Sequence, residues 1–494
     1  MGFTSIPIRN IIREAVARGG IIVDVRDRDE FLEGHIPMAV NIPFELIEAG
    51  EYTLPKSKYL LVYCAHGVSS MKAALIMSED GYRVINTVGG LAQYKTAIEQ
   101  IYNPQKGQEM SRVELIAPCH FGLESVLKKE ILDLGYEIVQ VEDGRITFAG
   151  DESAIARANI FIRTAERIML KCGSFKAATF DELFEGAKAI AWEKYLTRDA
   201  KFWVSKATSN KSALFSPSDI QSIVKKAMVE RLKQTYRVSW FTEDGASYPV
   251  RVFIFKDIVT IALDTSGVSL HKRGYRKLVG KAPISETLAS ALIMLSPWHR
   301  DRVLVDPFCG SGTFPIEAAM IGAHIAPGMD REFTAQEWSK ICDKKIWYNA
   351  VDEAHDLIDH DVKMNIQGYD LDGDMVKCAM ENARAAGVEQ HIHFQQRDVK
   401  DLRNPKKYGF IITNPPYGER LEEKEALPEL YRTIGESYRN LDDWSMFLIT
   451  SYTDAEKYIG RKADRNRKIY NGMIKSYFYQ FMGPKPPKRR REEA

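Results

Sequence analysis

Four predicted strands in the C-terminal half of this 494-residue chain each stop at a turn of Gly, Asp or Pro, and their order constrains the fold more than any other feature. The first, VLVDPFCGSGTFPIEAAMIG (303–322), reads as a buried strand ending at Asp306, a glycine turn at Gly310 and Gly312, and an apolar helix. The second run ends in QGYDLDGDMVKCAMENARAAG, the third in HFQQRDVKDL and the fourth in YGFIITNPPYGERL. Strands alternating with helices build a parallel sheet, and open parallel sheets bind ligands beyond the carboxyl ends of their strands. All four turns are therefore expected along one crevice.

Each turn suits a task. Glycines let the backbone approach a ligand and the next helix offers free amides, which makes Asp306, Pro307, Cys309, Gly310, Ser311, Gly312 and Thr313 a candidate cofactor loop. Nucleotide sites use the same device, but the lysine of GxxxxGK[ST] is missing, which argues against a phosphate-binding P-loop. Asp370 and Asp372 end the second strand, where an acid can hold both ribose hydroxyls. Asp370 comes about 64 residues after Asp306, against roughly 20 in a dinucleotide fold, so APGMDREFTAQEW and WYNAVDEAHD read as an insertion. Asp398 either accepts from an adenine amine or caps the turn that follows it.

The fourth turn, Asn414, Pro415, Pro416 and Tyr417, sets the reaction class. An exocyclic base amine is a poor nucleophile because its lone pair is delocalised into the ring. Two acceptors aimed at its hydrogens, the Asn414 side-chain oxygen and the Pro415 carbonyl, would rehybridise the nitrogen and aim the lone pair at a methyl donor. Paired prolines fix that carbonyl in an extended conformation, and Tyr417 is placed to stack on the base. Catalysis is then mostly positioning, and a base inside a stack must flip out to reach it.

The rest of the chain divides around 101–112, IYNPQKGQEMSR, a polar segment without periodicity. Before it, IIVDVR, YLLVYC and YRVINTVGG read as buried strands between helices, and residues 1–20 read as an amphipathic helix without the h-region of a signal peptide. No stretch approaches the ~18 apolar residues of a membrane span, so a cytoplasmic protein is expected. After it, GLESVLKKEILDLG reads as a helix, EIVQVED with GRITFAG as a hairpin, and VRVFIF with IVTIALD as another, an α+β pattern. The net charge of +1 hides about −2 over 1–105 and about +6 over 111–281, so a polyanion would prefer the middle of the chain. HKRGYRK (271–277) concentrates that charge, with Lys272, Arg273, Tyr275 and Arg276 as candidate RNA contacts or a solvated linker. Six cysteines lack CxxC or Cys/His spacing, so neither a metal site nor a disulfide framework is expected.

DPFCGSGT, YDLD, RD and NPPYGERL, together with FGLESVLKKEILDLG, GDESAIARANIFIRTAERIML, LDTSGVSLHKRGYR and APISETLASALI, resemble class I methyltransferases of the RlmL type, which act on N2 of guanine in large-subunit (23S) ribosomal RNA. That resemblance runs from about 113 to 480 and implies a ferredoxin-like segment and an RNA-binding THUMP domain ahead of a Rossmann-like methyltransferase. It implies S-adenosylmethionine as cofactor, with Asp306, Gly310 and Gly312 at its methionine part, Asp370 at the ribose, Asp398 at the adenine, and Asn414 to Tyr417 at the target base. It tips HKRGYRK towards RNA contact. Some members continue into a second methyltransferase half, whereas this chain stops after the first, so no second modification is expected.

DVRDRDEFLEGHIPMAVNIP, VYCAHGVSS and VGGL resemble the rhodanese family over essentially all of 1–104. By that resemblance Cys64, between a strand and a helix that starts near Ser69, would carry a persulfide drawn from a donor such as thiosulfate. A buried, unreactive Cys64 in a docking domain is the other reading, and Arg26 is expected to support the fold through an ion pair. Many rhodaneses carry an arginine within the loop where this chain has Ser69 and Ser70.

The expected fold is thus a multidomain α/β protein: a rhodanese-like α/β domain (1–104), an α+β ferredoxin-like and THUMP region (111–270), a Rossmann-like class I methyltransferase (271–483) and a basic tail (484–494). Four rivals remain: guanine-N2 methylation of transfer RNA; RNA thiolation, which also combines THUMP and rhodanese domains but needs an SGGxDS loop not found here; DNA adenine-N6 methylation; and a non-catalytic RNA scaffold.

Overall fold

The computed structural model describes residues 4–65, 67–91, 94, 112–276, 284–418, 421–471 and 474–486. It contains three sheets. The first pairs β1 (Thr4–Pro7), β2 (Ile21–Asp24), β3 (Ala39–Asn41), β4 (Tyr59–Tyr63) and β5 (Arg83–Val88) in the order β1-β5-β4-β2-β3, all parallel. Its strands are apolar on both faces, as a parallel sheet between helices requires. Ile22, Leu61, Tyr63 and Ile85 pack on one face, and Val23, Leu60, Val62, Cys64 and Val84 on the other. The N-terminal segment corrects the sequence reading: Thr4–Pro7 is a strand paired with β5, and the helix begins only at Ile11.

The second sheet comprises β6 (Val113–Pro118), β7 (Glu137–Glu142), β8 (Arg145–Gly150), β9 (Met169–Lys176), β10 (Lys201–Asn210), β11 (Ser247–Phe255) and β12 (Ile258–Asp264). Their order is β10-β11-β12-β9-β6-β8-β7, with only β10 and β11 parallel. Both expected hairpins form, the second through Lys256 and Asp257 at φ 51 and 60. Because β12 pairs with β9 from Ile258↔Lys176 to Asp264↔Met169, the two halves of this region share one sheet.

The third sheet holds β13 (Leu304–Asp306), β14 (Ile366–Asp370), β15 (Ile392–Gln396), β16 (Phe410–Thr413), β17 (Ser445–Thr450), β18 (Arg465–Asn471) and β19 (Ile474–Phe481) in the order β15-β14-β13-β16-β17-β19-β18. The first five strands are parallel, and β19 inserts antiparallel between β17 and β18. The chain leaves β13 for β14 on one side and returns to β16 on the other. That reversal opens the crevice at which such sheets bind ligands.

The insertion between β13 and β14 does not stay with its own sheet. Trp338 stacks on Tyr248 at 4.9 Å and donates its indole N–H to the Ser247 carbonyl at 2.9 Å. Arg157 makes two 2.7 Å hydrogen bonds to the Glu353 carboxylate from the helix Ser153–Phe161 to the helix Lys344–Asp356. Burial of this stacked ring pair and this paired charge fastens the third sheet's domain to the second. No described helix is long and apolar enough to cross a membrane. The boundary segment lies outside the described residues except for Arg112, as do 487–494 of the tail.

Candidate active site

Asp306 ends β13 with its side chain buried, and its Oδ1 accepts from the Thr413 hydroxyl at 2.6 Å and the Phe308 N–H at 3.1 Å. Burial pushes its carboxyl up to about 7, against those two hydrogen bonds and helped by the charge of Asp370. The glycine turn follows. Gly310 and Gly312 have φ of 51 and 87, and Gly312 starts the helix Thr313–Gly322. A Cβ on Gly312 would stand 3.0 Å from Ala379 Cβ, whereas Gly310 faces open space. Pro307, Cys309, Ser311 and Thr313 are buried.

Asp370 accepts from the Gly310 N–H at 2.9 Å through Oδ2 and from the Asp372 N–H at 2.9 Å through Oδ1, which fixes the carboxylate beside the loop with a lone pair on each oxygen to spare. Asp372 behaves otherwise. It is exposed and caps the helix Gly373–Ala385, accepting from the Asp374 N–H at 2.9 Å. Asp398 caps the turn Val399–Asp401 through the Lys400 N–H at 3.0 Å and pairs with the Lys400 ammonium at 3.0 Å, the first of which holds its carboxyl below the usual range. The capping reading of Asp398 is therefore realised. Its second oxygen is engaged by the exposed Lys400 side chain rather than by the backbone.

Asn414 follows β16 directly, and its side-chain Oδ1 is buried without a hydrogen-bond partner. Such an acceptor costs about 1–3 kcal/mol when nothing donates to it. Pro415 is buried, Pro416 exposed and Tyr417 half-buried. Sequence reasoning missed two supports of this crevice, Thr413, which ties β16 to Asp306, and Asn382, whose side-chain amide donates to the Ser311 carbonyl at 3.1 Å, and it gave a third, Arg276, a different role.

Three of the four candidate RNA contacts in the strap 271–276 are turned into the protein. Arg273 is 6 % exposed, donates to the carbonyls of Leu270 and Arg163, and lies 3.5 Å from Glu317. Tyr275 is 5 % exposed and donates to Glu317 at 3.0 Å. Arg276 donates to the Thr313 hydroxyl at 2.7 Å and lies 3.3 Å from Glu286. Buried carboxylates on two helices claim these cations, so the strap joins domains; Lys272 alone of the four candidates is exposed.

In the N-terminal domain Cys64 follows β4 and is 3 % exposed, and the Gly67 N–H donates to its Sγ at 3.0 Å. The helix that follows is Val68–Glu79, with Gly67 capping it at φ 103. Arg26 makes the expected ion pair with Asp24, at 2.6 Å, and also donates to the carbonyls of Glu30 and Gly34. No group of three or more potential metal ligands occurs among the described residues.

The sequence matches four known families: a rhodanese-like domain over 9–97, the RlmL ferredoxin-like domain over 114–169, the THUMP domain over 177–264, and the RMKL-like methyltransferase domain over 273–480. It is 47 % identical to the Bacillus subtilis (strain 168) protein described as "Putative RNA methyltransferase YpsC", across 386 residues that cover 78 % of this chain and 100 % of that one. Among solved structures, SMU.472, "a putative methyltransferase complexed with SAH", is 43 % identical with a TM-score of 0.72, covering 76 % of this chain and 99 % of its own. A structure from Listeria monocytogenes str. 4b F2365, described as "a predicted N6-adenine-specific DNA methylase", is 46 % identical with a TM-score of 0.73, covering 77 % and 100 %. With a relative matched end to end at that identity, the chain belongs to the RlmL-like methyltransferase family, with an N-terminal rhodanese-like domain ahead of its THUMP and methyltransferase domains.

Proposed function

We propose that this chain transfers a methyl group from S-adenosylmethionine to the exocyclic amine of an RNA base, and that the base is a guanine of large-subunit (23S) ribosomal RNA methylated at N2. The observation that carries the reading is the orphaned Oδ1 of Asn414, a buried acceptor beside the strand ends of Asp306 and Asp370. Partnering it with an amine hydrogen removes a desolvation cost and localises the lone pair of the nucleophile in the same step.

The residues fit the cofactor. Asp306 would meet its methionine ammonium, the amides around Gly310 and Gly312 its carboxylate, and Asp370 its ribose hydroxyls. When bound it supplies an electrophilic sulfonium methyl. Asn414 and the Pro415 carbonyl hold the amine, Tyr417 stacks on the ring, and water is kept out by the buried walls of β13 and β16.

RNA is preferred over DNA because a THUMP domain, held to the methyltransferase through Trp338, shares a sheet with the ferredoxin-like segment, held to it through Arg157. Transfer RNA is the second reading for the same reason. For the N-terminal domain we propose sulfur transfer, because the Gly67 amide already points at Cys64 Sγ. The test is mass spectrometry of nucleosides from ribosomal and transfer RNA incubated with the protein and labelled S-adenosylmethionine, beside Asn414→Ala. Label in N2-methylguanosine of large-subunit RNA, lost in the variant, supports the full reading. Label confined to transfer RNA moves the substrate, and label in DNA adenine alone overturns it.

A further inference from the structure

The turn that would hold the target base has little covalent freedom and one soft joint. Pro415 and Pro416 have fixed φ and no N–H, so ψ is the only soft backbone torsion left at each. The direction of the Pro416 carbonyl reports ψ at Pro416, and the same peptide plane carries the nitrogen of Tyr417. Whatever holds that carbonyl therefore aims the aromatic ring of Tyr417 and steadies the Pro415 carbonyl one peptide earlier.

The atom next to it belongs to Tyr431, on the helix Leu421–Arg439. Tyr431 is fully buried among Leu427, Ile434, Leu448 and Phe481, and its hydroxyl lies 3.4 Å from the Pro416 carbonyl and 2.6 Å from the Thr450 hydroxyl. Thr450 ends β17, the strand beside β16, and its Oγ1 also accepts the Tyr452 N–H at 3.0 Å. Donor accounting fixes the sense of this chain. A backbone N–H only donates and a carbonyl only accepts, so protons fill every link only in the direction Tyr452 N–H to Thr450, Thr450 to Tyr431, and Tyr431 to Pro416. Burial keeps the Tyr431 hydroxyl protonated by raising its ionisation well above the ordinary range. The ring of Tyr452 lies 5.0 Å from that of Tyr431, so the relay starts at a half-buried aromatic of the same strand-end row.

We infer that Tyr431 and Thr450 are positioning residues for methyl transfer: their hydroxyl relay sets the Pro416 carbonyl and thereby aligns the Asn414 to Tyr417 turn on the target base. The inference rests on the base-methylation reading and adds the fifth strand end, β17, to the crevice. Neither hydroxyl touches the cofactor loop, so their loss acts on the base and leaves cofactor binding alone. The final link is long for O–H···O, which makes it the weakest joint of the relay and the one that removal of a hydroxyl frees.

The test uses the full-length protein with Tyr431→Phe, Thr450→Val and Thr450→Ser, reading kcat and KM for labelled methyl transfer to ribosomal RNA, S-adenosylmethionine affinity by calorimetry, and Tm. Tyr431→Phe and Thr450→Val are each expected to lower kcat on the order of tenfold with cofactor affinity unchanged. The double variant is expected to be no slower than the worse single, because one relay is broken once. Thr450→Ser keeps the hydroxyl and is expected to restore kcat. Variants that keep wild-type kcat, or whose losses multiply, overturn the relay while leaving the methylation reading intact. A wild-type protein that binds the cofactor and methylates no RNA overturns the reading itself.

Discussion

The turns at 64–67 and 309–312 are built alike: a parallel strand, a cysteine, and three residues later a glycine of positive φ that caps the next helix. They point their amides at different things. In the first, the Gly67 N–H donates to Cys64 Sγ at 3.0 Å; in the second, the Gly312 N–H donates to the Cys309 carbonyl at 2.8 Å. Both thiols are almost fully buried, at 3 % and 6 %, so exposure does not separate them. What separates them is whether the capping glycine's amide is turned onto the sulfur or spent on the backbone of its own turn. On the proposed reading, one turn makes its own cysteine the reacting group. The other is a cradle, and its chemistry is supplied by Asn414 on a strand next to it.

The sharpest way to break that comparison is to cross the two sites. Asn414→Ala is expected to lower methyl transfer on the order of 10²–10³-fold, the usual loss on removing one preorganised polar group, and to leave sulfur transfer from thiosulfate to cyanide unchanged. Cys64→Ser is expected to do the reverse. Radiolabel transfer and a thiocyanate assay on both variants decide it: a slowed methyl transfer in Cys64→Ser would mean the domains share a substrate or an intermediate.

The glycines give the next largest effect. Gly312→Ala places a Cβ 3.0 Å from Ala379 and 3.2 Å from Phe394 at φ +87, so about 1–3 kcal/mol of strain is expected together with loss of cofactor binding. Gly310→Ala meets nothing within 4 Å and pays only for its φ of +51, about 1 kcal/mol. Thermal unfolding and cofactor titration of the pair should rank them in that order. An equal loss from both would show that the loop is read by side-chain space on its open face as well as by backbone.

Much of this was legible before any coordinates. The four strand ends carry their own signals, a strand stopping at or just before Asp306, Asp370, Asp398 or Asn414, and parallel pairing places them side by side. The strap at 271–276 was not legible, because its charges are answered by Glu317 and Glu286, which lie on helices that only the fold brings near. Local sequence shows a cation and not its partner. Asp372 and Asp398 show what the spacing could not: each acid also caps the helix or turn that follows it, and of the three acids only Asp370 grips the glycine loop. The strand Thr4–Pro7 was lost because its partner is β5, some 80 residues later.

Asp306 gives a smaller, pH-resolved effect. Its folded carboxyl is raised from 3.8 to about 7, chiefly by burial, so the stability of the protonated form is full below pH 3.8 and is lost as pH rises through about 7. A cationic ammonium needs the carboxylate, so cofactor affinity should strengthen across the window in which the free protein loses stability. Asp306→Asn removes both trends. Calorimetry and Tm between about pH 5 and 8 check the sign, and an affinity that is flat across that window would remove Asp306 from the cofactor site.

The smallest expected effect falls on the cysteine that most resembles Cys64. Burial first, and the charges of Asp306 and Asp370 next, push the Cys309 thiol well above its ordinary range, so at neutral pH it stays protonated with its Sγ nearest the Gly310 carbonyl at 3.8 Å. A persulfide there would place an anion beside the acids Asp306 and Asp370. Incubation with thiosulfate followed by peptide mass spectrometry should find the added sulfur on Cys64 and none on Cys309. Cys309→Ala should methylate at close to the wild-type rate, since the loop acts through its backbone. Sulfur on Cys309, or a large loss of methyl transfer in Cys309→Ala, would mean that the two turns differ less than their hydrogen bonds indicate and that the cradle also reads its own side chain.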